Sequence, residues 1–183
     1  MSLRVKANTF RSYIRILTAE GKLEAVVAHV PDDTAALIRT PPLPGSWMDG
    51  RHMHDVVVAV DAVGGLAAVR ELSRKGTADA RKPYMSIVET VLKLFGTSPA
   101  TLFKRMNKLV DSFLEGVDFR YTPLGERSGV MEVEWQTDYE MPTCEFVGLM
   151  PTFQTLLEAC GTKGVVGMPE RMGPSKARYR IQW

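Results

Sequence analysis

The chain has 183 residues, 45% of them hydrophobic, with 23 Lys and Arg against 21 Asp and Glu and a net charge of +2. These totals suit a globular chain with one core, read as a single domain over 1–183. The basic residues are scattered among acidic ones, so no nucleic-acid partner is expected. No apolar run reaches the roughly 18 residues of a membrane span, and the N-terminal stretch lacks the apolar core of a signal peptide.

The first two-thirds reads as helices. Phe10, Tyr13, Ile14 and Leu17 lie at helical spacing, with Asn8 or Thr9 as a cap and Gly21 as a stop. Leu23, Val26 and Val27 predict a second helix up to Pro31, and a short third helix starts at Asp32 or Asp33. Pro41, Pro42, Pro44 and Gly45 form a loop that delivers Trp47. Met53, Val56, Val57 and Val60 make the next apolar stripe, broken by Gly64 and Gly65 before Leu66, Val69 and Leu72. Tyr84, Ile87, Val88, Val91, Leu92 and Phe95 keep one face of a further helix. Ser98-Pro99 is an N-cap followed by proline at the first helical position. The stripe after it, from Leu102 to Leu114, predicts one unbroken helix that Gly116 ends.

The last third switches to period two. Val117, Phe119 and Tyr121 alternate with Asp118, Arg120 and Thr122; Met131, Val133 and Trp135 alternate with Glu132 and Glu134. Tyr179, Ile181 and Trp183 alternate with Arg178 and Arg180. Such alternation means an antiparallel sheet with one buried face. Between the two hairpins, Phe146, Leu149, Met150, Phe153, Leu156, Leu157 and Cys160 form a helical stripe with Pro151 in its middle. A proline there removes a hydrogen bond and clashes with the carbonyl of Val147, so a bend is expected. The fold class is therefore α+β: a helical N-terminal two-thirds packed on a four-stranded antiparallel sheet, strand-strand-helix-strand-strand at the C-terminus.

Chemistry is sparse. His29, His52 and His54 are the only histidines. His52 and His54 stand two apart, on different faces of a helix, and no Cys or Glu cluster completes a zinc shell. No metal and no cofactor is expected, and the histidines read as surface or capping residues. The chain has no G-x-S-x-G elbow. Cys144, near a helix start, is the one plausible nucleophile of an enzyme, and the sequence names no base for it. Cys144 and Cys160 sit at opposite ends of one helix, about 24 Å apart at roughly 1.5 Å per residue, so no disulfide is expected and the compartment reads as the reducing cytoplasm.

The chain resembles an uncharacterised paralogous family of myxobacterial proteins. The landmarks are Val5-Lys6-Ala7 with the Phe10 and Tyr13 helix, Leu43-Pro44 with Trp47, and Arg70-Glu71-Leu72. Ser98-Pro99 with Phe103 and Arg105, Phe113 to Gly116, and the closing strand with Trp183 complete them. Many members carry a Cys-rich loop where this chain has Glu170-Arg171-Met172-Gly173. More distantly, the layout resembles the heme-NO-binding-like superfamily, with its gas-sensing heme domains, four-vinyl-reductase-type binding domains and TRAPP-type trafficking subunits. That resemblance implies a sensor or adaptor role, often in dimers. The heme branch uses a helical proximal histidine and a Tyr-x-Ser-x-Arg motif, and neither stands here: Arg120-Tyr121-Thr122-Pro123-Leu124 lacks the Ser and Arg at the required offsets.

The reading that follows is a non-enzymatic cytoplasmic sensor or adaptor that binds an apolar small molecule or a partner protein. The alternatives are a heme or other cofactor-binding gas sensor, and an enzyme using Cys144. The expected apolar pocket lies between helix and sheet, at Trp135, Met150, Phe153 and Phe103. Val58 and Leu94 lie off the main helical stripes and are the expected interface of a homodimer.

Overall fold

The computed structural model describes residues 3–95 and 98–183, with 80–95 described by their backbone. β1 (Arg4–Lys6) leads directly into α1 (Ala7–Ala19), followed by α2 (Leu23–Val27) and α3 (Asp32–Arg39). Phe10, Tyr13 and Leu17 bury one face of α1. Gly21, at φ 66°, makes the left-handed turn that ends it.

Trp47 does not stand in a loop. It opens β2 (Trp47–Asp49), which pairs antiparallel with β1 so that Trp47 lies opposite Lys6. The Lys6 ammonium sits 4.1 Å from the centre of the Trp47 ring. β3 (Leu114–Glu115) pairs with the other edge of β1 and completes a three-stranded sheet, β2-β1-β3. Strands of two or three residues carry no period-two signal, which is why this sheet has no trace in the sequence.

α4 (Gly50–Phe95) breaks at Gly65, whose φ of 67° and ψ of −176° are non-helical, as the Gly64-Gly65 pair predicts. The predicted helix from Leu102 to Leu114 is corrected. It is two short helices, α5 (Pro99–Phe103) and α6 (Met106–Val110), parted at Arg105, and Leu114 pairs with Val5 in the small sheet. The Lys6 N–H donates to the Phe113 carbonyl at 2.9 Å, so β1 takes the backbone that a continuing helix would use.

The larger sheet holds β4 (Val117–Gly125), β5 (Ser128–Trp135), β6 (Val165–Val166), β7 (Glu170–Gly173) and β8 (Lys176–Gln182). Its order is β4-β5-β8-β6, with β7 also paired to β8 and every pairing antiparallel. The two predicted hairpins are β4–β5 and β7–β8; the two-residue β6 is the addition. Phe119, Val133 and Ala177 stand side by side on the buried face, as do Met131 and Tyr179. On the outer face Arg120, Glu132 and Arg178 face one another, and the Lys176 ammonium lies 3.2 Å from Glu132 and 3.6 Å from Glu134. Exposed cross-strand pairs of this kind contribute about 0.2–1 kcal/mol each. The edge strand β4 is tied down at Phe119. Its N–H donates to Asn107 Oδ1 at 2.8 Å, and its carbonyl accepts from Asn107 Nδ2 at 3.1 Å.

α7 (Thr143–Ala159) continues through Pro151 as one helix. The Tyr179 hydroxyl donates to the Phe146 carbonyl at 2.8 Å, and the Phe153 ring meets Tyr179 edge-on at 5.0 Å. Phe153 is also edge-on to Phe103 and Phe119. One buried cluster gathers the sheet, α5, α6 and α7; a second gathers α1 and α4, and Leu66 and Leu114 touch both. Val58 is 37% exposed, and the side chain of Leu94 lies outside the described residues, as does the stripe from Tyr84 to Phe95. Among the described residues no helix is long and apolar enough to cross a membrane. Because Phe153 is fully buried among three rings, Phe153→Ala should cost about 3–5 kcal/mol in urea unfolding. A loss under about 1 kcal/mol would mean that the rings close over the gap.

Candidate ligand-binding site

α1, α4 on both sides of its break, α6 and α7 meet around a cavity of ≈ 210 Å³. Val5, Val57, Met106, Leu109, Leu149 and Leu156 make its wall largely apolar. Gly76 and Gly148 belong to it: an added methyl at Gly76 would overlap the Tyr13 ring, and one at Gly148 would lie 3.2 Å from Ser73 Oγ.

Few polar groups face this space, and most are matched to one another. The Tyr13 hydroxyl and Ser73 Oγ are 3.0 Å apart, and burial pushes the Tyr13 phenol up to about 12. Thr77 and Thr152 hydroxyls are 3.4 Å apart. His54 Nδ1, from α4, lies 3.0 Å from Glu145 Oε1 in the first turn of α7. Their side chains are 16% and 11% exposed. Burial raises the Glu145 carboxyl above its ordinary value, against the smaller opposing pull of His54. The His54 ring also packs 4.9 Å from that of Tyr139. Trp135, at the end of β5, completes the wall, and its indole Nε1 is buried without a hydrogen-bond partner.

Of the four pocket residues expected from sequence, the structure brings only Trp135 to this cavity. Phe103 and Phe153 are packed against each other in the sheet cluster, and Met150 borders a separate polar groove with Arg70, Glu71 and Arg74. His54 and Glu145 were missed. A glutamate in a first turn reads as a partner of the helix dipole, and nothing local links two residues 91 apart. The expectation of a surface histidine is corrected for His54. Cys144 is buried, and burial pushes its thiol up to about 12, so it is not the activated thiolate that an enzyme reading requires. Elsewhere, Asp33, His52 and Asp55 bring one ligand-type atom each within 4.8 Å of one another. Thr34 Oγ1 donates to Asp55 at 2.5 Å and lies 2.7 Å from His52 Nδ1, and Arg51 pairs with Asp33.

No family model and no curated protein matches the sequence. Solved structures do. An Fe(II) unliganded H-NOX protein from K. algicida superposes with a TM-score of 0.69 at 11% identity, over 97% of this chain and 95% of that one. An H-NOX protein from S. oneidensis in the Fe(II)NO ligation state gives 0.62 at 11% identity, over 97% and 98%. The chain has the H-NOX fold, and the heme-NO-binding-like resemblance holds at the level of architecture.

The cavity itself fits a heme poorly. Its ≈ 210 Å³ falls below the roughly 300–1,000 Å³ of sites for drug-sized ligands, and a heme is larger than those. Heme propionates are anionic, yet no Lys or Arg lines the described wall, and Glu145 adds an acid. His54 and Met106 are side chains of types that can ligate iron.

Glu145 gives a pH dependence whose sign follows from its raised value. The fold holds this proton more tightly than the unfolded chain does. The resulting stability is full below the ordinary carboxylate range and is lost as pH rises through the folded-state value. Glu145→Gln should therefore raise the urea midpoint more at about pH 8 than at about pH 4. An effect that shrinks with rising pH would show His54 holding Glu145 ionised in the fold.

Proposed function

We propose that this chain is a ligand-sensing domain whose ligand is a small apolar molecule held in the cavity between α1, α4, α6 and α7. The observation that carries this is an apolar cavity walled by elements of both buried clusters. An occupant there touches the helical half and α7 together, so its presence changes how the two pack. The domain needs no catalytic set for this role. A molecule bound only to the folded state stabilises it by mass action, about 2.7 kcal/mol at a hundredfold excess over Kd. Toluene should raise the melting temperature, and Leu149→Trp, which fills the space, should abolish the rise. A rise that survives Leu149→Trp would place the ligand elsewhere.

A second reading is a heme-binding gas sensor. The solved H-NOX neighbours support it, since one is described in a nitric-oxide-ligated ferrous state. His54, with Glu145 behind it as a second-shell carboxylate, supports it too. Titration with hemin separates the readings. The heme reading requires a saturable one-to-one Soret band that His54→Ala or Met106→Leu shifts or removes. The small-ligand reading expects no stoichiometric band and an unchanged toluene response.

A further inference from the structure

We infer that the cavity selects an uncharged, apolar ligand bearing one hydroxyl, and that the His54–Glu145 pair holds that hydroxyl. The inference rests on the small-ligand reading above and names its ligand class.

Both residues line the cavity, and each spends one polar atom on the other: His54 Nδ1 lies 3.0 Å from Glu145 Oε1. The second ring nitrogen, Nε2, and the second carboxyl oxygen, Oε2, meet no other group of the protein. Neither is covered. Among the described residues the covered side-chain atoms without a partner are those of Tyr121, Trp135 and Tyr139. His54 and Glu145 therefore keep accessible polar atoms in a wall that is otherwise largely apolar. A hydrocarbon filling the space would leave both atoms dry, at the cost of the hydrogen bonds they make to water. Of the other polar side chains on the wall, Tyr13 is matched with Ser73 and, more loosely, Thr77 with Thr152. Thr9 and Thr155 bring one hydroxyl each, whereas the pair offers two open atoms together.

Proton counting sets the class. Two protons make the pair neutral, placed either as an acid whose Oε1 proton goes to Nδ1 or as a carboxylate against an imidazolium. In both placements Nε2 carries an N–H and Oε2 accepts. Burial raises the Glu145 carboxyl, which favours this two-proton pair. A hydroxyl accepts from that N–H or donates to that oxygen. When the pair has lost a proton, both atoms accept and a hydroxyl still donates. A carbonyl only accepts, and an ammonium brings a charge and three donors to an acid that already holds a histidine. An anion meets Glu145 and no Lys or Arg on the described wall. The cavity, at ≈ 210 Å³, is somewhat larger than the about 150 Å³ apolar cavity that admits benzene, so one six-membered ring with its hydroxyl suits it.

Four probes of one shape test this on the full chain: cyclohexanol, cyclohexanone, cyclohexylamine and methylcyclohexane. Affinities come from the rise in melting temperature with probe concentration. They are measured on the wild type and on His54→Leu/Glu145→Met, which removes both partners so that no charge is left buried alone. Each affinity is referred to that of methylcyclohexane in the same protein, which cancels the probe's own cost of leaving water. On this scale cyclohexanol should weaken about tenfold in the double variant, the worth of a hydrogen bond to a polar pair, and the ketone and the amine should weaken less. In the wild type the His54 ring nitrogens, followed by nitrogen-15 NMR and identified with His29→Gln and His52→Gln, should shift on saturation with cyclohexanol. An unchanged cyclohexanol ratio, or a larger fall for the ketone or the amine, overturns the inference, while binding of methylcyclohexane leaves the cavity reading intact. If no probe binds, the cavity reading fails with it. Should the double variant not fold, the wild-type spectrum decides: unmoved His54 nitrogens at saturation overturn the inference.

Discussion

The structure depends on α7 being buried on two sides. Phe146, Phe153 and Leu157 press one side onto the sheet, where the Tyr179 hydroxyl fixes the helix by its backbone carbonyl. On the other side, Gly148 brings the α7 backbone close to α4, so close that a methyl there would sit 3.2 Å from Ser73 Oγ and 3.6 Å from Val69 Cγ1. Ser73 is already committed to Tyr13 of α1. A helix apolar nearly all round is the sequence signature of such a position. Every displacement of α7 therefore works against the sheet and the α1–α4 pair together.

The cavity follows from the same geometry. Gly148 and Gly76 let α7, α4 and α1 approach closely beside it, and Glu145 and His54 meet across its wall. A buried acid paired to one histidine does not stabilise the fold by much, because desolvation of both groups offsets their attraction. The pair does join the first turn of α7 to α4.

Much of the fold was legible in the residues. Alternation in Met131, Val133 and Trp135 and in Tyr179 and Ile181 gave the buried face, because a half-buried sheet imposes period two. Gly65 marked the break in α4 because only glycine takes its φ cheaply. The small sheet and the end of the helical stretch before Leu114 stayed hidden, since both are set by long-range backbone pairing of Val5 with Leu114. The site was barely legible. Trp135 was found through its strand pattern, whereas Phe103 and Phe153 look like pocket residues in sequence and are core, a distinction that depends on which neighbours fill the space. His54 and Glu145 carry no spacing that would link them.

A shared fold does not carry chemistry with it. The likeness to H-NOX proteins at 11% identity conveys the frame on which a ligand pocket sits. What occupies the pocket is decided by the side chains in it. A macrocycle with anionic arms needs volume and cations; this wall offers ≈ 210 Å³ and an acid. A lining of this size and charge suits a small uncharged molecule better than a macrocycle. Any occupant of that space would touch α4 and α7 at once, so the spacing of these two helices is what binding there would act on.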